Sequence, residues 1–101
     1  MNRQVKSMLS LAQRAGKIVT GEIIEKVVSN GEAFLVIIAE DAGVNTKKKY
    51  VNKCEHYAIE YIMFSNKEEL SNCIGKYNRS VFAITDNNFA EKIRMEFSNM
   101  M

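Results

Sequence analysis

The hydrophobic residues of this chain recur with two different spacings, and these alternate from the N-terminus onwards. A first stripe recurs at helical spacing and consists of Val5, Met8, Leu9 and Ala12. It predicts a helix over 3–14, with Gly16 as the residue that ends it. Residues 17–20 follow as a short candidate strand.

A second helix is predicted over 21–30, because its apolar residues recur four positions apart and Asn30-Gly31 then ends it. The run from Phe34 to Ala39 is apolar at every position and does not alternate. A continuous run of this kind is typical of a central strand with helices packed on both faces. We therefore expect residues 34–39 to lie in the middle of a sheet.

The second half of the chain continues the alternation. The spacing predicts a helix over 46–57, a strand over 58–63 and another strand over 80–85. Ser65 and Glu68 have the spacing of a capping box, which predicts that a helix begins there and ends at Gly75. A last helix is expected after Asp86 or Asn87, since Phe89, Ile93 and Phe97 lie one turn apart.

The resulting order is one helix followed by four strand–helix units. Such alternation predicts the α/β class, here a three-layer α/β/α sandwich around a small, mixed, four-stranded sheet. The chain has 101 residues, which is the length of one domain, so we assign residues 1–101 to a single domain.

Charge changes this picture through its distribution rather than its total. The net charge is only +2, but residues 1–21 contain four cations and no acid, and residues 44–54 repeat this pattern. These cations are Arg3, Lys6, Arg14, Lys17, Lys47, Lys48, Lys49 and Lys53. A nearly neutral protein with such segregated segments can present a positive face to a polyanion.

Composition argues against several other classes of protein. Cys54 and Cys73 lack the spacing of metal ligands and fall on apolar helix positions, which predicts buried free thiols in a reducing compartment. The longest apolar run is far shorter than the roughly 20 residues needed to cross a bilayer, and no apolar core of a signal peptide is seen. We therefore expect a cytoplasmic protein.

The predicted helix starts hold the first candidate side chains. Backbone N–H groups at the helix that begins at Gly21 attract phosphate. Glu22 and Lys26 either form a surface pair four residues apart or contact a guanine edge and a phosphate. Lys47, Lys48 and Lys49 begin another helix, where cations are disfavoured by about 0.3–1 kcal/mol each. They form either a solvated face or a place where a polyanion docks.

The basic loop 75–79 turns at a glycine before the last strand and is a second candidate. Gly75-Lys76 lacks the earlier glycine and the following Ser or Thr of a P-loop, so a P-loop is rejected, but the loop can still hold a nucleic-acid backbone. Glu40 and Asp41 at a strand end leave open a magnesium-dependent phosphohydrolase. His56 and the serines lack the partners of a catalytic triad.

Several short segments, in this order and spacing, match one known pattern. They are Leu11–Lys17, Thr20–Glu22, Leu35–Ala42, Asn45–Lys49, Lys53-Cys54, Glu68–Leu70, Ile74–Lys76, Ala83–Asp86 and Phe89-Ala90. Over nearly its whole length the chain resembles the ribosomal protein L7Ae/L30e superfamily of kink-turn RNA binders, and within it the YlxQ-like bacterial branch.

The resemblance implies RNA binding rather than catalysis. Family members hold a kinked RNA helix with tandem sheared G·A pairs, using the start of the second helix and the loop before the last strand. By position, Glu22 is implied to read a guanine edge, while Ile23 falls at a base-reading position without a hydrogen-bonding group. Phosphate contacts should therefore dominate, with strong salt dependence and modest sequence preference.

We predict a non-enzymatic RNA-binding protein of ribosomal type, with a structured RNA as partner and the ribosome as a further candidate partner. This function requires no metal, cofactor or small-molecule substrate. The predicted RNA-binding residues are Thr20, Gly21, Glu22, Lys26, Glu40, Lys47, Lys48, Gly75, Lys76, Arg79 and Ser80. The alternative is a protein–protein adaptor of the translation machinery with weakened RNA binding, which an exposed apolar patch near Ile23 would favour.

Overall fold

The computed structural model describes residues 3–100 of the chain. The described part contains five helices and four strands in the predicted order. The helices are α1 (Arg3–Arg14), α2 (Ile23–Ser29), α3 (Val44–His56), α4 (Lys67–Cys73) and α5 (Asn87–Asn99). The strands are β1 (Ile18–Val19), β2 (Leu35–Ile38), β3 (Tyr61–Met63) and β4 (Val81–Ile84).

The four strands form one mixed sheet in the order β1-β4-β2-β3. β2 pairs with β3 in parallel, whereas β4 pairs antiparallel with both β1 and β2. All four residues of β2 and all four of β4 are buried, because these strands are interior and have helices on both faces. The prediction that the run after Phe34 is a central strand is confirmed.

Two hydrophobic cores lie on opposite faces of the sheet. Alternate residues of β2 supply them: Leu35 and Ile37 point to one core, and Val36 and Ile38 to the other. The first core is completed by apolar side chains of α1, α4 and α5, and the second by those of α2 and α3. The predicted three-layer α/β/α sandwich is confirmed.

Several element boundaries differ from the sequence prediction, most of them by one or two residues. α3 begins at Val44 rather than at residue 46, so the three lysines after Thr46 do not begin it. The third strand begins at Tyr61 rather than at residue 58, because Ala58 has a φ of 56° and turns the chain after α3. The cap of α4 is Asn66 rather than Ser65: its side chain accepts a hydrogen bond from the Glu69 backbone N–H at 2.9 Å. Ser65 has a φ of 60°, outside the extended region in which an N-cap usually lies.

Other local predictions can be compared with the structure. α1 has the predicted bounds, and the Asp86 carboxylate caps α5 by accepting a hydrogen bond from the Phe89 N–H at 3.1 Å. Both cysteines are free thiols, but only Cys54 is buried as predicted, whereas Cys73 is half-buried. Burial raises the pKa of the Cys54 thiol to about 11. Within residues 3–100, none of the helices has the length and apolar character that a membrane-crossing helix requires.

The corrected cap of α4 generates a stability prediction. Replacing Asn66 by Ala should lower the free energy of unfolding by about 1 kcal/mol, because the Glu69 N–H loses its acceptor. Replacing Ser65 by Ala is the matched control and should change stability by less than about 0.5 kcal/mol. Urea unfolding of both variants measures the difference. A larger loss of unfolding free energy for Ser65→Ala than for Asn66→Ala would contradict this prediction and support Ser65 as the cap of α4.

Candidate nucleic-acid interface

Three segments that are distant in the chain meet around one surface pocket of about 240 Å³. They are the turn before α2, the first half of α3 and the loop before β4. We call this site the helix-start pocket. Its lining residues are Gly21, Ile24, Thr46, Lys49, Tyr50, Asn78, Arg79, Ser80 and Val81.

Strand pairing explains why these segments meet. The register Val19↔Ala83 places the end of β1, and hence Gly21, beside the beginning of β4. The register Ile38↔Val81 places the end of β2 beside the same residues, so that α3 also begins at this end of the sheet. The pocket is therefore a direct product of the antiparallel pairing of β4 with both neighbours.

The turn before α2 supplies a backbone wall rather than charge. Gly21 has a φ of 84°, a conformation in which a side chain would be strained, and its carbonyl accepts a hydrogen bond from the Ile24 N–H. Glu22 occupies the N-cap position, yet its side chain makes no capping hydrogen bond and is exposed. The cationic side chains of the pocket come from other segments and are Lys49 and Arg79.

Lys49 is the cation that α3 contributes. Its Nζ lies 2.6 Å from Glu25 Oε1, while Lys53 Nζ lies 3.7 Å from the other oxygen of the same carboxylate. The hydrogen bond from Lys49 holds the pKa of Glu25 below its usual value, and the pKa of Lys49 is raised by the same contact. Glu25 thus tethers α2 to α3 and fixes the direction in which Lys49 points.

The sequence analysis named Lys47 and Lys48 but not Lys49 as a site residue. Among the described residues, only Lys49 of these three lines the helix-start pocket. The signal that could have selected it is helical phase, since Thr46, Lys49 and Tyr50 share one face of α3. Tyr50 is buried, and burial raises the pKa of its hydroxyl.

The loop before β4 is held by Ser71 of α4, a residue that the sequence analysis missed. Ser71 is only 1% exposed, and its Oγ accepts a hydrogen bond from the Arg79 N–H at 2.9 Å. The same hydroxyl donates to the Arg79 carbonyl at 3.1 Å. The backbone of Arg79 is thereby fixed, so its side chain starts from a defined position at the pocket. A serine within a helical pattern gives no sequence signal for this role.

Glu40 and Asp41 are engaged in holding the fold together. The Glu40 carboxylate accepts a hydrogen bond from the Ser65 N–H at 3.0 Å, and that of Asp41 accepts one from the Lys67 N–H at 2.9 Å. They tie the end of β2 to the start of α4. Across residues 3–100 there is no group of three or more His, Cys, Asp or Glu side chains arranged to bind a metal ion.

The predicted site residues separate into three groups in the structure. Gly21, Arg79 and Ser80 line the helix-start pocket, and Lys76 lines an adjoining depression with Tyr77 and Asn78. Two residues flank the pocket in sequence, the half-buried Thr20 and the exposed Glu22. The remaining five do not contribute to its described lining: Lys26, Glu40, Lys47, Lys48 and Gly75.

Large apolar side chains stand exposed near the pocket. Ile23 is 49% exposed at the start of α2, Val44 is 76% exposed at the start of α3, and Tyr77 is 87% exposed in the loop. Each belongs to a segment that also supplies lining residues. Exposed side chains of this kind beside cations provide surfaces on which unstacked bases can pack.

Comparison with known proteins agrees with this architecture. A profile of the ribosomal protein L7Ae/L30e/S12e/Gadd45 family matches residues 3–94. The chain is 42% identical over 87 residues to the RNA-binding protein YlxQ of Bacillus subtilis, covering 85% of this chain and 87% of that protein. It is 40% identical over 95 residues to the RNA-binding protein YlxQ of Enterococcus faecium, covering 92% and 91%.

Solved structures show the same fold. A protein of unknown function from Bacillus halodurans superposes with a TM-score of 0.89 at 39% identity, covering 93% of this chain and 96% of that one. The Giardia lamblia 15.5kD RNA binding protein superposes with a TM-score of 0.78 at 22% identity, covering 94% and 89%. Given the match over residues 3–94, the chain belongs to the ribosomal protein L7Ae/L30e/S12e/Gadd45 family.

Proposed function

We propose that this protein binds a structured RNA at the helix-start pocket. The observation that carries the proposal is the convergence of Lys49 and Arg79, from segments 30 positions apart in sequence, on one pocket at the end of the sheet. The curated relatives at about 40% identity are named RNA-binding proteins, and this supports the class of partner. Binding, rather than catalysis, is the proposed activity.

Phosphate contacts form the first part of the proposed interface. Arg79 can bind a phosphate through two parallel N–H donors, and Lys49 can bind one as a point charge. Lys76 adds a cation on the same loop, where its side chain is exposed. These groups set the affinity and its salt dependence, because each neutralised phosphate releases counterions.

Base contacts form the second part, and they lead us to propose a kink-turn-like RNA. A sharply bent RNA helix exposes unstacked bases and the edges of sheared G·A pairs, which ordinary A-form RNA hides. Glu22 lies close enough to Lys49 and Tyr50 for its negative charge to help raise their pKa values. Its carboxylate would accept hydrogen bonds from a guanine edge. Ile23, Val44 and Tyr77 would pack against bases released from the stack.

The exposed Ile23 also suits the adaptor function, in which the same surface would contact a protein. The charge of the pocket favours RNA over this alternative, since two cations converge there. Failure of the intact protein to retard any kink-turn RNA would favour the adaptor.

The first prediction concerns the two cations of the pocket. Arg79→Ala and Lys49→Ala should each weaken binding of a kink-turn RNA by about five- to thirty-fold, because each removes a phosphate contact. Titrations at several salt concentrations should also show the slope of log K against log salt reduced by about 0.7–0.9 per variant. Lys92→Ala, an exposed cation on α5, is the control. Unchanged affinity in both pocket variants would place the RNA elsewhere.

A second prediction concerns the ion pair that holds Lys49. Glu25→Gln removes the negative charge that competes with phosphate for Lys49, so affinity for the same RNA should rise by a factor of about two to five at low salt. Glu91→Gln on α5 makes the same charge change away from the pocket and should leave affinity unchanged. Equal effects of the two variants would show that only net charge matters.

A third prediction tests the guanine contact of Glu22. Binding of wild-type and Glu22→Ala protein is measured to a kink-turn RNA and to the same RNA with the G·A guanines replaced by inosine. Inosine lacks the N2 donor, so the two changes should be coupled by about 1–3 kcal/mol in a double-mutant cycle. Strictly additive losses would mean that Glu22 does not touch those guanines.

A further inference from the structure

A second concave surface lies on the opposite face of the sheet from α2 and α3. It is a groove of about 650 Å³ between α1 and the C-terminal end of α4. Arg3, Lys6 and Arg14 line it from α1, and Asn72 and Cys73 line it from α4. We call it the α1 groove. The helix-start pocket shares none of these residues.

The lining of the α1 groove is mainly cationic. Three of its described lining residues are cations and none is acidic. An acid, Glu69 of α4, lies nearby, and its pKa is lowered in part by the charge of Lys6. Arg3 and Arg14 are 11 positions apart on one helix, so the cations extend along roughly 16 Å of the groove. Ser10 Oγ donates a hydrogen bond to the Cys73 carbonyl at 3.0 Å, which joins α1 to α4 beneath the cations.

The depression that contains Lys76 and Tyr77 borders both the α1 groove and the helix-start pocket. Asn78 lines both this depression and the pocket, and Asn72 lines both this depression and the groove. The depression also includes Asp41 and Glu68, so the positive surface is strongest at its two ends.

We propose that the α1 groove binds the phosphodiester backbone of one arm of the same RNA, after that arm has crossed the loop before β4. The proposal rests on the proposed function, since it extends an RNA held at the helix-start pocket. Cations spaced along a helix, together with the exposed hydroxyl of Ser7, match the donors that bind phosphate without reading sequence. The apolar surface offered by Leu11, 49% exposed, is small beside this charge.

The test compares two kinds of RNA: a minimal kink-turn, and extended kink-turns in which one arm or the other is longer by about ten base pairs. Lys6→Ala/Arg14→Ala should weaken binding of one extended RNA about ten-fold or more, with a salt slope lower by about 1.4–1.8. Binding of the minimal RNA should stay within about two-fold, because that RNA does not reach the groove.

Lys92→Glu makes the same change in net charge, by two units, on a surface that lines neither the pocket nor the groove. It should affect both RNAs equally. If the wild-type protein binds the minimal RNA, and Lys6→Ala/Arg14→Ala binds every RNA with wild-type affinity, the groove does not hold RNA. A protein then becomes the better assignment for the partner of the groove. If neither RNA binds the wild-type protein, both proposals are overturned.

Discussion

The pairing of β4 with two antiparallel neighbours is the constraint on which the rest of the molecule depends. β4 lies between β1 and β2, and all four of its residues are buried. Its side chains alternate between the two cores, with Phe82 on one face and Ala83 on the other. Its register with β1 and β2 also brings the starts of α2 and α3 to one end of the sheet. The two hydrophobic cores and the helix-start pocket therefore depend on the same backbone hydrogen bonds, which join β4 to β1 and β2.

The site is organised by polar contacts that belong to the fold. Glu25 directs Lys49, and Ser71 fixes the backbone of Arg79, although neither Glu25 nor Ser71 lines the pocket. Glu40 and Asp41 hold the neighbouring segment through backbone N–H groups. The backbone of Arg79 thus starts from a defined position, which lowers the entropy lost when a ligand orders its side chain. Lys49 instead starts from an exposed ion pair, so a phosphate must compete with Glu25 for it.

Most of the fold was predictable because hydrophobic spacing is strong in every element. The buried run after Phe34 and the stripe of α1 each allowed only one interpretation. The bounds of several elements differ by one or two residues. The errors in the start of β3 and in the cap of α4 arose at Ala58 and Ser65, where positive φ values delay an element without a sequence signal. Single residues of this kind take up the left-handed conformation because the surrounding fold imposes it.

The pocket was predictable only in part. Gly21, Arg79 and Ser80 were identified because glycine turns and basic loops are visible in the sequence. Lys49 was missed because a run of three lysines conceals which one faces the pocket until the phase of α3 is known. Ser71 was missed because its partner, the backbone of Arg79, becomes its neighbour only when the chain folds.

The central place of β4 also has a consequence for synthesis on the ribosome. β4 is the last strand along the chain, and the pairing of both β1 and β2 is incomplete until β4 is present. Contacts between segments so far apart in sequence form slowly and late in folding. The helix-start pocket is therefore absent from the growing polypeptide until β4 has left the exit tunnel, and an unfinished chain cannot hold RNA at that site.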